Sequence, residues 1–241
     1  MVINDTVERR VAMNLQFWHF IGWTVSASIL GFAMSAIFAG RMRLSRNHFL
    51  VPYVALVGVF LYAFIVVNNI DVATLLIRNW VWGLLIGLLT SLILIRHVRT
   101  QPVSRQTYGT ELLFDITWAG LVYGIVDALF LNVMPVVASW IGASQFEWTA
   151  TLIGKIGVGV LGLMASLLVT LAYHVGYPEF RNRRVGQVLV GNGVMTLAFL
   201  LSGNPLGSLI SHPAMHIAAV LHGAETTIQL PPHYKASLKL N

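Results

Sequence analysis

His212 and His216 stand four residues apart in the apolar run SHPAMHIAAVLHG, residues 211–223. On a helix that spacing puts both imidazoles on one face. Together they can ligate a metal or pass a proton to a third group. His222, six residues beyond His216, points elsewhere. Glu111 and Asp115, in TELLFD, are also four apart, and His174 closes the run TLAYH. Two carboxylates converging with His174, His212 and His216 would bind a divalent metal, or would activate a water by general base catalysis. Facing histidines such as His174 and His216 can also ligate haem. The structural alternative is equally concrete. Histidines on membrane helices hydrogen-bond their neighbours and hold a bundle together, and Asp127 can pair with Lys155 or with His212.

The elements that position these groups follow from composition. The 241 residues are 56% hydrophobic and 10% charged, with a mean hydropathy of +0.74. A soluble domain carries about 25% charged residues, so most of this chain belongs in lipid. A helix crosses the hydrocarbon with about 20 apolar residues. Seven apolar segments meet that need, at 14–40, 49–69, 73–95, 109–141, 148–176, 185–203 and 204–222. Lipid offers no partner to an open backbone, so these segments are expected to be helices. They lack the alternation of a lipid-embedded β-barrel. The expectation is an all-α transmembrane bundle of about seven membrane-spanning helices. It forms one integral membrane domain over 1–241, with 1–13 and 224–241 outside the bilayer. The absence of cysteine excludes thiolate metal sites and a cysteine nucleophile.

The net charge of +6 is spread over short loops, a topology signal and not a nucleic-acid face. Arg41, Arg43 and Arg46 follow the first segment, Arg96, Arg99 and Arg105 the third, and Arg181, Arg183 and Arg184 the fifth. Positive loops stay cytoplasmic. The N-terminus is then outside and the tail, with Lys235 and Lys239, inside; Arg9 and Arg10 oppose this and fit an interfacial helix. The expected partners are the lipid bilayer and other membrane subunits. Gly120-x-x-x-Gly124 and Gly162-x-x-x-Ser166 form small faces for close helix packing. Ser211 before Pro213 suggests either a helix starting afresh near His212 or an ordinary proline kink within one helix.

The order of motifs resembles the CPBP family of intramembrane proteases, related to the CAAX prenyl endopeptidases and called abortive-infection proteins in bacteria. That family carries Glu-Glu-x-x-x-Arg on one helix, Phe-x-x-x-His on a later one and His-x-x-x-Asn on another. TELLFD, 110–115, matches the first with Glu111 in place, TLAYH, 170–174, supplies His174, and HPAMH, 212–216, supplies His212 and His216. Thr110 stands where the family has its first glutamate, the expected general base. Asp115 replaces its arginine, Thr170 its phenylalanine and His216 its asparagine. A missing general base costs ~10²–10⁴-fold in rate, so the resemblance implies a non-catalytic or altered relative. The alternatives are an active metal-dependent or Glu/His peptidase, with Glu111 or Asp115 as base, and an accessory or haem-binding subunit of a larger membrane complex.

Overall fold

The computed structural model describes residues 2–104, 106–144, 146–223 and 229–230, with side chains from residue 17 onward apart from Trp148. Arg105, Lys235, Lys239 and almost all of the tail lie outside the described residues, as do the side chains of Arg9 and Arg10. The described residues form helices joined by short connections, with no strand among them. Helix α1, Val2–Met34, runs on through the π-helical turns Ser35–Arg41. It is followed by α2, Arg46–Val67, the short α3, Val72–Ile77, and α4, Trp80–Arg99. Then come α5, the 35-residue run Gly109–Ala143, α6, Leu152–Val175, α7, Val185–Ser202, and α8, Leu206–His222.

The chain is a polytopic, all-α membrane bundle. Among the described residues six helices are long and apolar enough to cross a bilayer, and not about seven. The segment read at 204–222 forms α8, which has 17 residues. At ~1.5 Å per residue it reaches roughly 26 Å, at the lower limit for a span. Its Ser208, Ser211, His212 and His216 are all buried, which gives it an unusually polar inner face.

Two local expectations change. The segment at 73–95 is not one helix, because Asn79 takes a left-handed conformation with φ of 57° and separates α3 from α4. The Asn204 amide holds the break by donating to the carbonyls of Leu75 (3.3 Å), Leu76 (2.8 Å) and Arg78. Nor does a helix begin at Ser211. Asn204 starts α8 by accepting the Leu206 N–H at 2.8 Å, and Pro213 lies inside the helix. The Ser211 hydroxyl donates to the Gly207 carbonyl at 2.7 Å, one turn back, and caps nothing.

The helices alternate in direction, so the connections fall at two ends. His222 Nε2 lies 2.7 Å from the Gln101 carbonyl, and the Gln106 amide donates to Leu221 at 3.2 Å. Gly40 packs against Gly176 and Pro178. These contacts gather the connections 42–45, 100–108 and 176–184 at one end, which thereby carries the arginine loops. Asn204 against α3 and the Phe17–Phe146 ring pair, 6.3 Å apart, mark the opposite end. There Trp18, Trp80 and Trp82 are exposed, as a tryptophan belt at a membrane–water boundary would be.

The long α5 is the central element. The most apolar window of α5 is 72% buried, against 28–33% for the other five candidate spans. Its small residues let α8 approach. A Cβ on Gly120 would stand 2.8 Å from Ile217, and one on Gly124 would stand 2.6 Å from the Pro213 Cα. A Cβ on Gly162 of α6 would meet Ser139 at 2.8 Å, and Ser166 donates to the Leu131 carbonyl at 2.6 Å. Both small faces are close helix contacts. Gly124→Ala should therefore push α8 off α5 and cost about 1–3 kcal/mol in thermal unfolding in detergent. Gly58→Ala, with nothing within 4 Å, should cost nothing measurable.

Candidate metal centre

Asp127 lies in the short α-helical stretch Tyr123–Asp127 of α5, between the π-helical turns Ile116–Val122 and Ala128–Val133. Such turns are rare and recur at functional sites. The carboxylate is 2% exposed and faces α8 across the Gly124–Pro213 contact. His212 Nε2 stands 3.3 Å and His216 Nε2 3.8 Å from Asp127 Oδ2. The two imidazoles are stacked, 4.9 Å between centroids. The helical spacing of four thus delivers both rings to one carboxylate. The other oxygen, Oδ1, accepts the Tyr53 hydroxyl of α2.

A chain of hydrogen bonds sets the tautomer of His212. The Leu131 carbonyl can only accept, so Ser166 donates to it at 2.6 Å. Ser166 Oγ accepts Asn192 Nδ2 at 2.8 Å, and Asn192 Oδ1 accepts Asn132 Nδ2 at 2.8 Å. That leaves Asn132 Oδ1 to accept from His212 Nδ1, 2.8 Å away. A neutral His212 therefore turns the lone pair of Nε2 toward a carboxylate oxygen. Two electron-rich atoms at that distance attract only through a cation shared between them, a proton or a metal ion. His216 adds a second vacant donor. The Gln229 backbone stands near its ring, but neither ring nitrogen makes a hydrogen bond of normal geometry.

The donor set suits a divalent metal ion. The three ligating atoms lie within 4.8 Å of one another. Two ligands ~2.0–2.1 Å from a tetrahedral ion stand roughly 3.3 Å apart; the His212–Asp127 separation of 3.3 Å equals this and the His216–Asp127 separation of 3.8 Å is somewhat wider. An N–H donated to a neighbour from the far side of a ligating imidazole, as Asn132 receives, is the usual support of such a ligand. Asp127 and the two histidines are three ligands, which leaves a fourth position open.

The three groups line a cavity of about 240 Å³ together with Tyr123, His174 and Asn192. Its mouth lies between α4, at Ile93 and His97, and α7, at Gln187 and Val190, all four exposed. His174 shares the cavity but not the ligand cluster, and its Nδ1 donates to the Thr170 carbonyl at 2.8 Å. The cavity is smaller than the ~300–1,000 Å³ of pockets for larger organic ligands, and far from roomy for a porphyrin. Four buried phenols flank the carboxylate. Tyr123 and Tyr173 hydroxyls are 3.2 Å apart, and Tyr177 donates to Tyr173 at 2.7 Å.

The structure does not bring Glu111 or Asp115 to the histidines. Glu111 is exposed, and Asp115 is buried but accepts from Thr107 at 3.2 Å. They precede Asp127 by roughly 24 and 18 Å of helix. The carboxylate that meets the histidine pair is Asp127, and His212 is its partner, as one of the sequence alternatives had it. Lys155 is exposed near the opposite end. Tyr53, Asn132 and Asn192 gave no signal at helical periodicity. Asn132 follows Asp127 by five residues, a spacing that an α-helix rotates off the face. A π-turn closes its ladder at five, so the two stack.

The chain matches no family model, no curated protein and no solved structure.

Asn132→Leu removes the acceptor for His212 and the donor to Asn192 at once. It should destabilise the protein by about 1–3 kcal/mol in detergent unfolding. Tyr123→Phe, which gives up only a 3.2 Å phenol–phenol contact, should cost clearly less.

Proposed function

We propose that the protein is an intramembrane metal-dependent hydrolase in which Asp127, His212 and His216 hold a divalent cation. The observation that carries the reading is the convergence of His212 Nε2 and His216 Nε2 on Asp127 Oδ2, at 3.3 and 3.8 Å, with His212 held from behind by Asn132. A bound divalent cation supplies Lewis acidity and makes water a nucleophile near neutral pH. The chain's own groups do the rest. Asp127 and the two imidazoles present their donors from one side, Tyr53 steadies the carboxylate and Asn132 orients His212. His174, on the wall of the same cavity, is placed to exchange a proton with a reacting group. The mouth between α4 and α7 admits a substrate bond from the membrane near the arginine-rich end, which the positive-inside rule makes cytoplasmic.

This reading agrees with an altered relative of the CPBP proteases. The histidine motif keeps its place on the last helix. The carboxylate that meets the histidines is Asp127, further along the same helix as Thr110, and it serves as a ligand where the family's missing glutamate would be a general base.

Metal analysis of the full-length protein taken from its own membrane tests the proposal. The wild-type protein should carry a stoichiometric divalent metal. Asp127→Asn, His212→Ala and His216→Ala should each lose it, while Glu111→Gln and Asp115→Asn keep it. Asn132→Ala should weaken metal affinity ~10–100-fold. His174→Gln should retain the metal and lose ~10²–10⁴-fold in hydrolysis of a membrane-embedded peptide. A metal-free protein whose unfolding ignores both added zinc and chelator would sink the reading.

A further inference from the structure

A second cavity, about 980 Å³, opens at the end of the bundle away from the arginine loops. Its floor is apolar, formed by Trp140 of α5, Val160 and Leu163 of α6, and Leu197 and Leu201 of α7. Val160, Leu197 and Leu201 are exposed on faces that the bundle turns outward, so the cleft is open to acyl chains. Its collar is polar, with Asn68, Asp71, Thr74, Arg78 and Lys155. The exposed Trp80 and Trp82 lie two and four residues after Arg78, which sets the collar at headgroup level.

The cleft draws two cations to its collar. Arg78 is the only Lys or Arg in the connections 68–79, 144–151 and 203–205. Lys155 is the only one in the first turns of α4, α6 and α8. Both line the same cleft, and both are exposed. The one carboxylate of the collar is already engaged. Asp71 caps α3, accepting the Thr74 N–H at 3.1 Å and its hydroxyl at 2.6 Å. These bonds hold its carboxyl below the ordinary carboxylate range. Two cations therefore face a cleft whose only acid is turned to its own helix.

We propose that this cleft binds an anionic phospholipid, with its phosphate between Arg78 and Lys155 and an acyl chain along the groove between α6 and α7. An apolar floor open on the bundle's outer faces and a cationic collar beside the exposed tryptophans match such an amphiphile at both ends. The site is independent of the Asp127 centre, which lies toward the opposite end of the bundle.

The test is lipid binding to the delipidated full-length protein in detergent, with bound lipid counted by native mass spectrometry. Phosphatidylglycerol should bind more tightly than phosphatidylcholine. Arg78→Ala and Lys155→Ala should each weaken phosphatidylglycerol about fivefold and phosphatidylcholine, with no net charge, by less, while Arg78→Lys keeps the preference. Gly159→Leu fills the floor from a position whose added Cβ meets only Leu200, at 4.0 Å, and should weaken both lipids. Glycerol phosphate should not compete. Equal binding of the two lipids, unchanged binding by the double alanine variant, or competition by glycerol phosphate would each overturn the proposal.

Discussion

A carboxylate buried inside a membrane bundle is the constraint on which the rest of this structure depends. Asp127 is almost wholly enclosed by the bundle, with only a small cavity beside it, and an unpaired charge there costs several kcal/mol. Every neighbour answers that cost. Tyr53 donates to one oxygen, and two imidazoles of α8 converge on the other. The bundle cannot supply these groups unless α8 lies against α5, and it lies there because Gly120 and Gly124 remove the side chains that would hold it away. The polar centre and the glycine contacts are thus one device. Small residues set the approach, and the approach sets the donor distances.

The same logic extends behind the histidines. Asn132, Asn192, Ser166 and Thr196 are all buried, and each spends its hydrogen-bonding capacity on another member or on a carbonyl of the network. In lipid such a network is worth only modest stability, with individual bonds averaging about 0.6 kcal/mol. Its stronger effect is on specificity. It begins at a carbonyl, which cannot donate, and ends at His212, so every proton along it has an assigned owner. A buried metal ligand needs that kind of support, because an imidazole free to flip presents a proton as readily as a lone pair.

The two ends of the bundle do different work. One end gathers the arginines and holds the Asp127 centre within reach of the mouth between α4 and α7. The other carries tryptophans and a wide apolar cleft with two cations at its collar. A broken segment makes the second end possible. Had 73–95 formed one straight helix, Arg78 would lie on a helix face. The Asn79 break and the Asn204 clamp turn it into a headgroup-level loop.

The sequence by itself determined the solvent and the elements. Charge depletion required lipid, apolar run lengths placed most of the helices within a few residues but neither the break at Asn79 nor the start of α1 at Val2, and the spacing of four put His212 and His216 on one face. The small residues of Gly120-x-x-x-Gly124 announced a close contact, though not with which helix. Tertiary structure alone decided what stands opposite the histidine pair. Glu111 and Asp115 share the right chemistry and the right spacing, but they lie too far along α5. Asp127 wins because of how α5 is rotated against α8. Asn132 joins it because π-turns stack residues five apart. Neither helix rotation nor a local change of helical pitch leaves a mark in hydrophobic periodicity, since both are set by which faces the bundle closes together.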